Sequence, residues 1–87
     1  MSSIEIYSGD YCPFCQKAKA LLKQRGYDYT EYNVQLDDSR REEMRIRTSG
    51  ARTIPQIFIN GRHVGGCDDL YALDRKGELS PLVASIQ

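Results

Sequence analysis

Two cysteines separated by two residues are the part of the sequence best suited to chemistry. They belong to the segment Cys12-Pro13-Phe14-Cys15, and thiols this close can cycle between a dithiol and a disulfide by exchange. The attacking species in that exchange is a thiolate. The spacing therefore predicts a redox-active pair in which one sulfur attacks and the other resolves the mixed disulfide.

Other uses of this spacing need partners that the sequence lacks. A structural zinc site takes four ligands, usually two cysteine pairs or a cysteine pair with two histidines. The chain offers one further cysteine, Cys67, and one histidine, His63. A c-type haem site needs a histidine directly after the second cysteine, and Gln16 stands there. Two buried core thiols without a redox role remain an open alternative, which Pro13 between the cysteines fits poorly.

Composition narrows the remaining classes. The chain has 87 residues, with 12 basic and 12 acidic side chains, so we expect one domain over 1–87 and no nucleic-acid partner. No stretch approaches the roughly 18 consecutive apolar residues of a membrane span, and the first residues show no secretory h-region. An odd number of cysteines, 3 in all with two of them only three positions apart, favours redox or metal chemistry in a reducing compartment. We therefore expect a soluble cytoplasmic protein.

The pattern of propensities predicts the element order β-α-β-α-β-β-α. Asn60-Gly61 is the strongest hairpin signal and makes the later strands antiparallel, whereas a helix between the first two strands implies a parallel pair. A mixed four-stranded sheet flanked by helices is the simplest packing, and it is the thioredoxin-like α/β architecture. The predicted elements are strands near 4–7, 27–34, 54–59 and 62–64, helices over 13–25, 39–48 and 68–75, and a short helical piece bracketed by Gly77 and Pro81.

The predicted helix start explains how Cys12 becomes reactive. Pro13 suits the first helical turn, where its missing N–H costs nothing, so Cys12 lies between a turn and the helix. Unpaired N–H groups and the dipole at that end stabilise negative charge, which lowers the pKa of a thiol below its free value of about 8.5. Because Cys12 precedes the helix and Cys15 lies inside it, we predict Cys12 as the nucleophile and Cys15 as the resolving thiol.

Three segments together resemble the glutaredoxin family, specifically its small bacterial dithiol type. They are the cysteine pair at 12–15, the run Thr53-Ile54-Pro55-Gln56-Ile57-Phe58 and the run Gly65-Gly66-Cys67-Asp68-Asp69-Leu70. The likeness covers essentially the whole chain. It implies a glutathione-dependent thiol–disulfide oxidoreductase that reduces protein disulfides through both cysteines and glutathione mixed disulfides through Cys12 alone. Its partners would be glutathione and disulfide-containing or glutathionylated client proteins.

The resemblance also implies where glutathione binds. In the family, a cis proline at the position of Pro55 faces the thiol, and the residue before it pairs through its backbone with the cysteinyl unit. Backbone N–H groups near Cys67 and the Asp68 side chain would hold the γ-glutamyl end, while Asp69 caps the helix. A purely structural proline and purely capping aspartates stay open as alternatives. The implied glutathione-binding residues are Cys12, Phe14, Thr53, Ile54, Pro55, Gly66, Cys67 and Asp68.

Three other functions fit the sequence less well than this one. An iron–sulfur carrier is the role of relatives that typically have Cys-Gly-Phe-Ser, from which Pro13 and Cys15 depart. A redoxin reduced directly by thioredoxin reductase is disfavoured by the two glutathione segments, and a fold-only binding module by the intact cysteine pair. We expect a monomer without a metal site, with His63 at the surface and Cys67 as a small buried turn residue.

The position three residues before Cys12 departs from the family pattern. Glutaredoxins usually carry Lys or Arg there, and this chain has Gly9 followed by Asp10. The missing cation and the added carboxylate both disfavour a thiolate and weaken capture of the glycyl carboxylate of glutathione. Candidate replacement cations are Lys17, Arg41 and Arg45.

We predict that the pKa of the Cys12 thiol lies below that of free cysteine but above that of relatives with the basic residue. Restoring the cation should lower the pKa further, because a nearby positive charge favours the thiolate. The measurement is thiolate absorbance against pH in the wild type and in Gly9→Lys. A wild-type pKa lower than that of the variant would contradict the prediction.

Overall fold

The computed structural model describes residues 3–84 and contains a four-stranded sheet with helices on both faces. The strand order is β2-β1-β3-β4, in which β1 is parallel to β2 while the pairs β1–β3 and β3–β4 are antiparallel. The predicted thioredoxin-like fold is confirmed. No helix of the described residues is long and apolar enough to cross a membrane. The elements are β1 (Ile4–Ser8), α1 (Pro13–Gln24), β2 (Thr30–Asn33), α2 (Asp38–Arg47), β3 (Gln56–Ile59), β4 (Arg62–Gly65), α3 (Cys67–Arg75) and α4 (Leu79–Ala84).

Alternation along the strands divides the core into two clusters, one on each face of the sheet. Isoleucines of β1 and β3 pack against α1, α3 and α4, and the intervening aromatic residues pack beneath α2. The α1-side cluster consists of Ile4, Ile6, Ala18, Leu21, Leu22, Ile57, Ile59, Cys67, Leu70, Leu79 and Val83. The α2-side cluster consists of Tyr7, Val34, Met44 and Phe58.

Two strands, β2 at the sheet edge and β3 in its centre, are shorter than the sequence pattern indicated. β2 covers only 30–33, because Tyr27 and Tyr29 pack as loop residues against the α1-side cluster. β3 begins at Gln56 rather than at Ile54, since Pro55 has no N–H to give to the ladder. Pro81 does not bracket the last helix but lies in its first turn, where its missing N–H is tolerated.

A polar network fastens α2 to the sheet. Arg47 donates to both carboxylate oxygens of Glu5, at 3.1 and 3.2 Å, and to the hydroxyl of Tyr7 at 2.7 Å. Tyr7 in turn donates to the carboxylate of Glu43. The hydrogen bond from Arg47 lowers the pKa of Glu5, while burial and the bond to Glu43 raise the pKa of Tyr7 to about 12. One arginine thus links α2 with the central strand.

The Glu5–Arg47 pair should make stability depend on pH in acid. Because the folded-state pKa of Glu5 lies below its ordinary value of 4.5, the stabilisation is complete above about pH 5 and is lost as the pH falls through the folded pKa. We expect Glu5→Gln to lower the free energy of unfolding at neutral pH by about 1–3 kcal/mol, and by clearly less near about pH 3. Urea unfolding at both pH values measures this.

The matched control is Glu42→Gln, which removes the exposed pair with Arg45 within α2. An exposed pair of this kind is worth about 0–1 kcal/mol, so the control should change stability little. A loss for Glu5→Gln that is equal at both pH values would contradict a role for the charge.

Candidate active site

The two cysteines meet at the N-terminal end of α1. Cys12 is the N-cap residue, with extended backbone torsions (φ −145°, ψ 95°), and its Sγ accepts a hydrogen bond from the backbone N–H of Cys15 at 3.1 Å. The two sulfurs are joined in a disulfide. Cys12 keeps 8% of its surface exposed and Cys15 none. Cys12 is therefore the sulfur that an incoming reactant reaches first.

The electrostatics at this helix start favour an anion at Cys12. Pro13 occupies the first turn as predicted, and that turn contains no acidic residue to offset the helix dipole. Asp10, whose carboxylate could oppose a thiolate, accepts a hydrogen bond from Asn33 Nδ2 at 3.1 Å. That bond ties the carboxylate to the end of β2.

Gln35 occupies the space beside Gly9. A Cβ at Gly9 would lie 2.3–2.6 Å from atoms of the Gln35 side chain, whose Oε1 accepts a hydrogen bond from the backbone N–H of Tyr11 at 3.3 Å. Any larger residue at position 9 must displace that flexible side chain. Gly9→Ala is therefore the matched control for the Gly9→Lys titration, because it displaces Gln35 without adding a cation.

The loop before β3 presents a free backbone edge near Cys12. Ile54–Pro55 is a cis peptide bond, and the carbonyl oxygen of Ile54 lies 3.8 Å from Cys12 Sγ. Within residues 3–84, the backbone N–H of Ile54 has no hydrogen-bond acceptor. A free N–H and a free C=O on one residue can pair with an extended peptide as a short added strand.

The glycine-rich turn is shaped by Asp69 rather than by Asp68. The Asp69 carboxylate accepts a hydrogen bond from the N–H of Gly66 at 2.9 Å and so caps α3, as the sequence predicted. A Cβ at Gly65, which has φ +120°, would lie 2.2 Å from that carboxylate. Asp68 is exposed and forms no hydrogen bond or ion pair with any residue that the structure describes. Its carboxylate is available to a ligand.

A shallow groove of about 150 Å³ gathers most of the predicted glutathione-binding residues. Cys12, Thr53 and Gly66 do not line it. Cys12 Sγ lies 3.8 Å from the carbonyl oxygen of Ile54, Thr53 precedes Ile54 along the chain, and a Cβ at Gly66 would lie 3.4 Å from the carbonyl oxygen of Pro55. Cys67 is 4% exposed, and burial raises the pKa of its thiol. The predicted burial is confirmed, but Cys67 begins α3 and does not lie in the turn. The groove is lined by Phe14, Ile54, Pro55, Cys67 and Asp68.

A larger cavity of about 410 Å³ shares Ile54 with that groove and was not predicted. Of the candidate cations, Lys17 lies 5.0 Å from the centroid of the Tyr71 ring, away from this cavity's lining. The signal in the sequence that could have indicated this cavity is Arg52, directly before Thr53. The cavity is lined by Val34, Gln35, Arg41, Met44, Arg45, Ala51, Arg52 and Ile54.

The three arginines of this cavity differ in how far their charge is compensated. Arg45 pairs with Glu42 at 2.6 Å. Arg41 donates from Nε and Nη2 to the carbonyl oxygen of Val34, at 3.2 and 3.1 Å, which orients the guanidinium without neutralising it. Arg52 forms no hydrogen bond or ion pair within the described part of the chain. The cavity therefore offers positive charge to an anionic group.

Comparison with known proteins decides the family. The glutaredoxin family model matches residues 4–64. The chain is 51% identical over 84 residues to a probable glutaredoxin of Synechocystis sp., covering 97% of this chain and 96% of that protein. This chain belongs to the glutaredoxin family. It is also 51% identical over 83 residues to glutaredoxin 3 of Escherichia coli, covering 95% of this chain and 99% of that protein.

The fold of this glutaredoxin agrees with a solved structure from the same family. The crystal structure of a buckwheat glutaredoxin–glutathione complex matches it with a TM-score of 0.85 and 30% identity, covering 94% of this chain and 76% of that chain. Glutaredoxins are thiol–disulfide oxidoreductases that use glutathione as reductant. This protein is therefore a glutathione-dependent thiol–disulfide oxidoreductase with a redox-active cysteine pair. The expected family and activity are confirmed.

No group of three or more His, Cys, Asp or Glu side chains among residues 3–84 is arranged to hold a metal ion.

Proposed function

We propose that this glutaredoxin reduces glutathione mixed disulfides at Cys12 and protein disulfides through Cys12 and Cys15 in turn. The observation that carries the proposal is the free backbone N–H and C=O of Ile54, whose carbonyl oxygen lies 3.8 Å from Cys12 Sγ. Ile54 lines a groove together with Asp68, whose carboxylate has no partner among the described residues. That edge can hold the cysteinyl unit of glutathione with its sulfur toward Cys12.

The chemistry proceeds by two exchanges. The Cys12 thiolate attacks the glutathione sulfur of a mixed disulfide, and the client leaves as a thiolate that takes up a proton. A second glutathione thiolate then attacks the glutathione sulfur bound to Cys12, which releases oxidised glutathione and restores the thiolate. For a protein disulfide, Cys12 attacks a client sulfur and Cys15 displaces it, leaving the Cys12–Cys15 disulfide that this structure contains. Two glutathione molecules reduce that disulfide.

Glutathione would lie extended across the groove, anchored at each unit by a different feature. The γ-glutamyl carboxylate suits the N–H groups at the start of α3, and its ammonium suits the exposed carboxylate of Asp68. Phe14, which is 59% exposed, forms an apolar wall. The cysteinyl backbone pairs with Ile54 between them.

The glycyl carboxylate would reach the arginine-lined cavity. Because Ile54 borders both the groove and that cavity, a peptide paired with Ile54 and anchored at Asp68 has its other end there. Arg52 has no partner among residues 3–84, and Arg41 is oriented by Val34. These arginines would replace the cation that is missing at Gly9.

We expect Arg52→Gln to raise the KM for a glutathione mixed disulfide by about five- to twelvefold, because the lost charge-assisted contact is worth roughly 1–1.5 kcal/mol. The kcat should change little, since Arg52 lines a cavity whose lining includes neither cysteine. Steady-state kinetics measure both values. Arg62→Gln is the matched control, because Arg62 is an exposed arginine on β4 that lines a different cavity. Equal effects of the two substitutions would exclude a specific carboxylate site.

The division of labour between the cysteines is tested with a coupled assay on a glutathione mixed disulfide. We expect Cys12→Ser to abolish activity, because Cys15, the other thiol at the helix start, is fully buried. We expect Cys15→Ser to retain activity, because this exchange needs one sulfur only. Reduction of a protein disulfide should fall in both variants. Equal losses of both variants on the mixed disulfide would overturn the assignment.

The proposal extends to the setting in which the enzyme works. A reductant pool of glutathione keeps such a pair cycling in the cytoplasm, which is where we place the protein. We propose that it acts as a monomer on disulfide-containing or glutathionylated client proteins.

A further inference from the structure

The loop over 52–55, which we propose to bind glutathione, makes few backbone hydrogen bonds of its own. No backbone–backbone hydrogen bond within residues 3–84 involves an N–H between Arg52 and Pro55, and β3 starts only at Gln56. A loop that binds a ligand through its backbone must nevertheless hold its peptide planes in a fixed orientation, since ordering them on binding weakens affinity. Something other than the sheet has to hold Ile54 in place.

The side chain of Gln56 supplies that tie. Its Nε2 donates to the carbonyl oxygen of Thr53 at 3.0 Å and lies 3.2 Å from Thr53 Oγ1, so it reaches back across the cis proline. Gln56 is a buried polar residue with 6% of its surface exposed. Burying an amide of this kind costs free energy unless its polar atoms are hydrogen-bonded. The hydrogen bonds to Thr53 therefore fix the orientation of the Gln56 side chain.

The tie on Thr53 also orients the N–H of Ile54. The Thr53 C=O and the Ile54 N–H belong to one peptide unit, which is planar. This Thr53–Ile54 bond is trans, and the cis bond is the next one, Ile54–Pro55. In a trans peptide the C=O and N–H point in opposite directions. Holding the Thr53 carbonyl toward Gln56 therefore directs the Ile54 N–H away from Gln56, with no described acceptor before it.

His63 anchors the other end of the Gln56 amide. His63 Nε2 lies 2.7 Å from Gln56 Oε1, and because the amide nitrogen faces Thr53, this oxygen is the acceptor and Nε2 carries the hydrogen. Nε2 donates in both the imidazolium and the Nε2–H tautomer. The imidazole stacks on Phe58, with ring centroids 4.9 Å apart and planes at 28°, which fixes the ring although His63 is exposed.

We propose that His63 and Gln56 are positioning residues that hold the Thr53–Ile54 peptide ready for the cysteinyl backbone of glutathione. This inference rests on the glutathione placement proposed above. Neither side chain lines the glutathione groove, so both act through the peptide and not by contact. The lone histidine thus has a role beyond that of a surface residue.

The test compares three substitutions for their effect on reduction of a glutathione mixed disulfide. His63→Phe keeps a ring to stack on Phe58 but removes the donor, Gln56→Glu keeps an acceptor for His63 but removes the donor to Thr53, and His63→Gln keeps an N–H donor. We expect the first two to raise KM by about three- to tenfold at nearly constant kcat, and His63→Gln to stay closer to the wild type. Thermal unfolding shows that each variant is folded.

A second measurement reports on the peptide itself. In the glutathione mixed disulfide of Cys15→Ser, we expect the Ile54 amide hydrogen to exchange with solvent several-fold faster when His63→Phe is added. A general loss of packing would instead speed exchange across the sheet. Gln56→Glu should show the same local effect, so the test stands if one variant folds poorly.

Asp68→Asn distinguishes a failure of the positioning role from a failure of the proposed glutathione placement. If Asp68→Asn raises KM while His63→Phe and Gln56→Glu leave both KM and Ile54 exchange unchanged, the positioning role is overturned and the groove stands. If Asp68→Asn also leaves KM unchanged, the glutathione placement is wrong and the positioning role falls with it.

Discussion

The antiparallel register of the central strands brings the reactive segments to one end of the sheet, and the site depends on that register. Tyr7, near the end of β1, pairs with Gln56 at the start of β3, and Gly65 at the end of β4 pairs one residue further along β3. The cysteine loop, the cis-proline loop and the glycine-rich turn therefore leave or enter the sheet together. Since a slip of one residue would exchange the two faces of a strand, the buried isoleucines that fix the register also fix the approach of Cys12 to Ile54.

In the proposed complex, backbone groups stabilise negative charge more than side-chain cations do. The start of α1 lies at the sulfur of Cys12, and the start of α3 contributes Cys67 and Asp68 to the groove, so in the proposed complex two helix N-termini would act on one glutathione molecule. Asp69 takes up the N–H of Gly66 and leaves the following N–H groups of the first turn to a ligand. Because backbone dipoles are fixed by the helices, they need no reorganisation when charge develops. Fixed helix dipoles of this kind would offset the lack of the usual cation at Gly9, and in the proposed complex the arginines would bind only the far carboxylate.

The sequence identified the chemistry and the fold more completely than the details of the site. Cys12 and Cys15 follow from spacing, the Asp69 cap follows from its place in the first turn, and alternating apolar residues indicate the sheet. Each of these depends on neighbours along the chain. Family likeness, and not local pattern, indicated the cis bond before Pro55, because X–Pro bonds are mostly trans. The shortened β2 could not be predicted, since aromatic residues favour strands wherever they stand and only packing decided that Tyr27 lies in a loop.

Longer-range features of the site were beyond local pattern altogether. Apart from its place directly before Thr53, nothing in the local sequence distinguishes Arg52 from the other arginines of the chain, and only the fold shows that it lines a cavity together with Ile54.

The same reasoning applies to His63, which is exposed and yet bonded to a buried amide. Side-chain recognition tolerates small movements because rotamers adjust, whereas recognition by a peptide N–H and C=O depends on the orientation of the whole plane. A redox enzyme that binds a flexible tripeptide has to limit the ordering cost on its own side. Because the hydrogen bond from Gln56 is made to the Thr53 carbonyl, it leaves the N–H of Ile54 open to the proposed glutathione ligand. The loop is therefore held without obstructing the sulfur of Cys12.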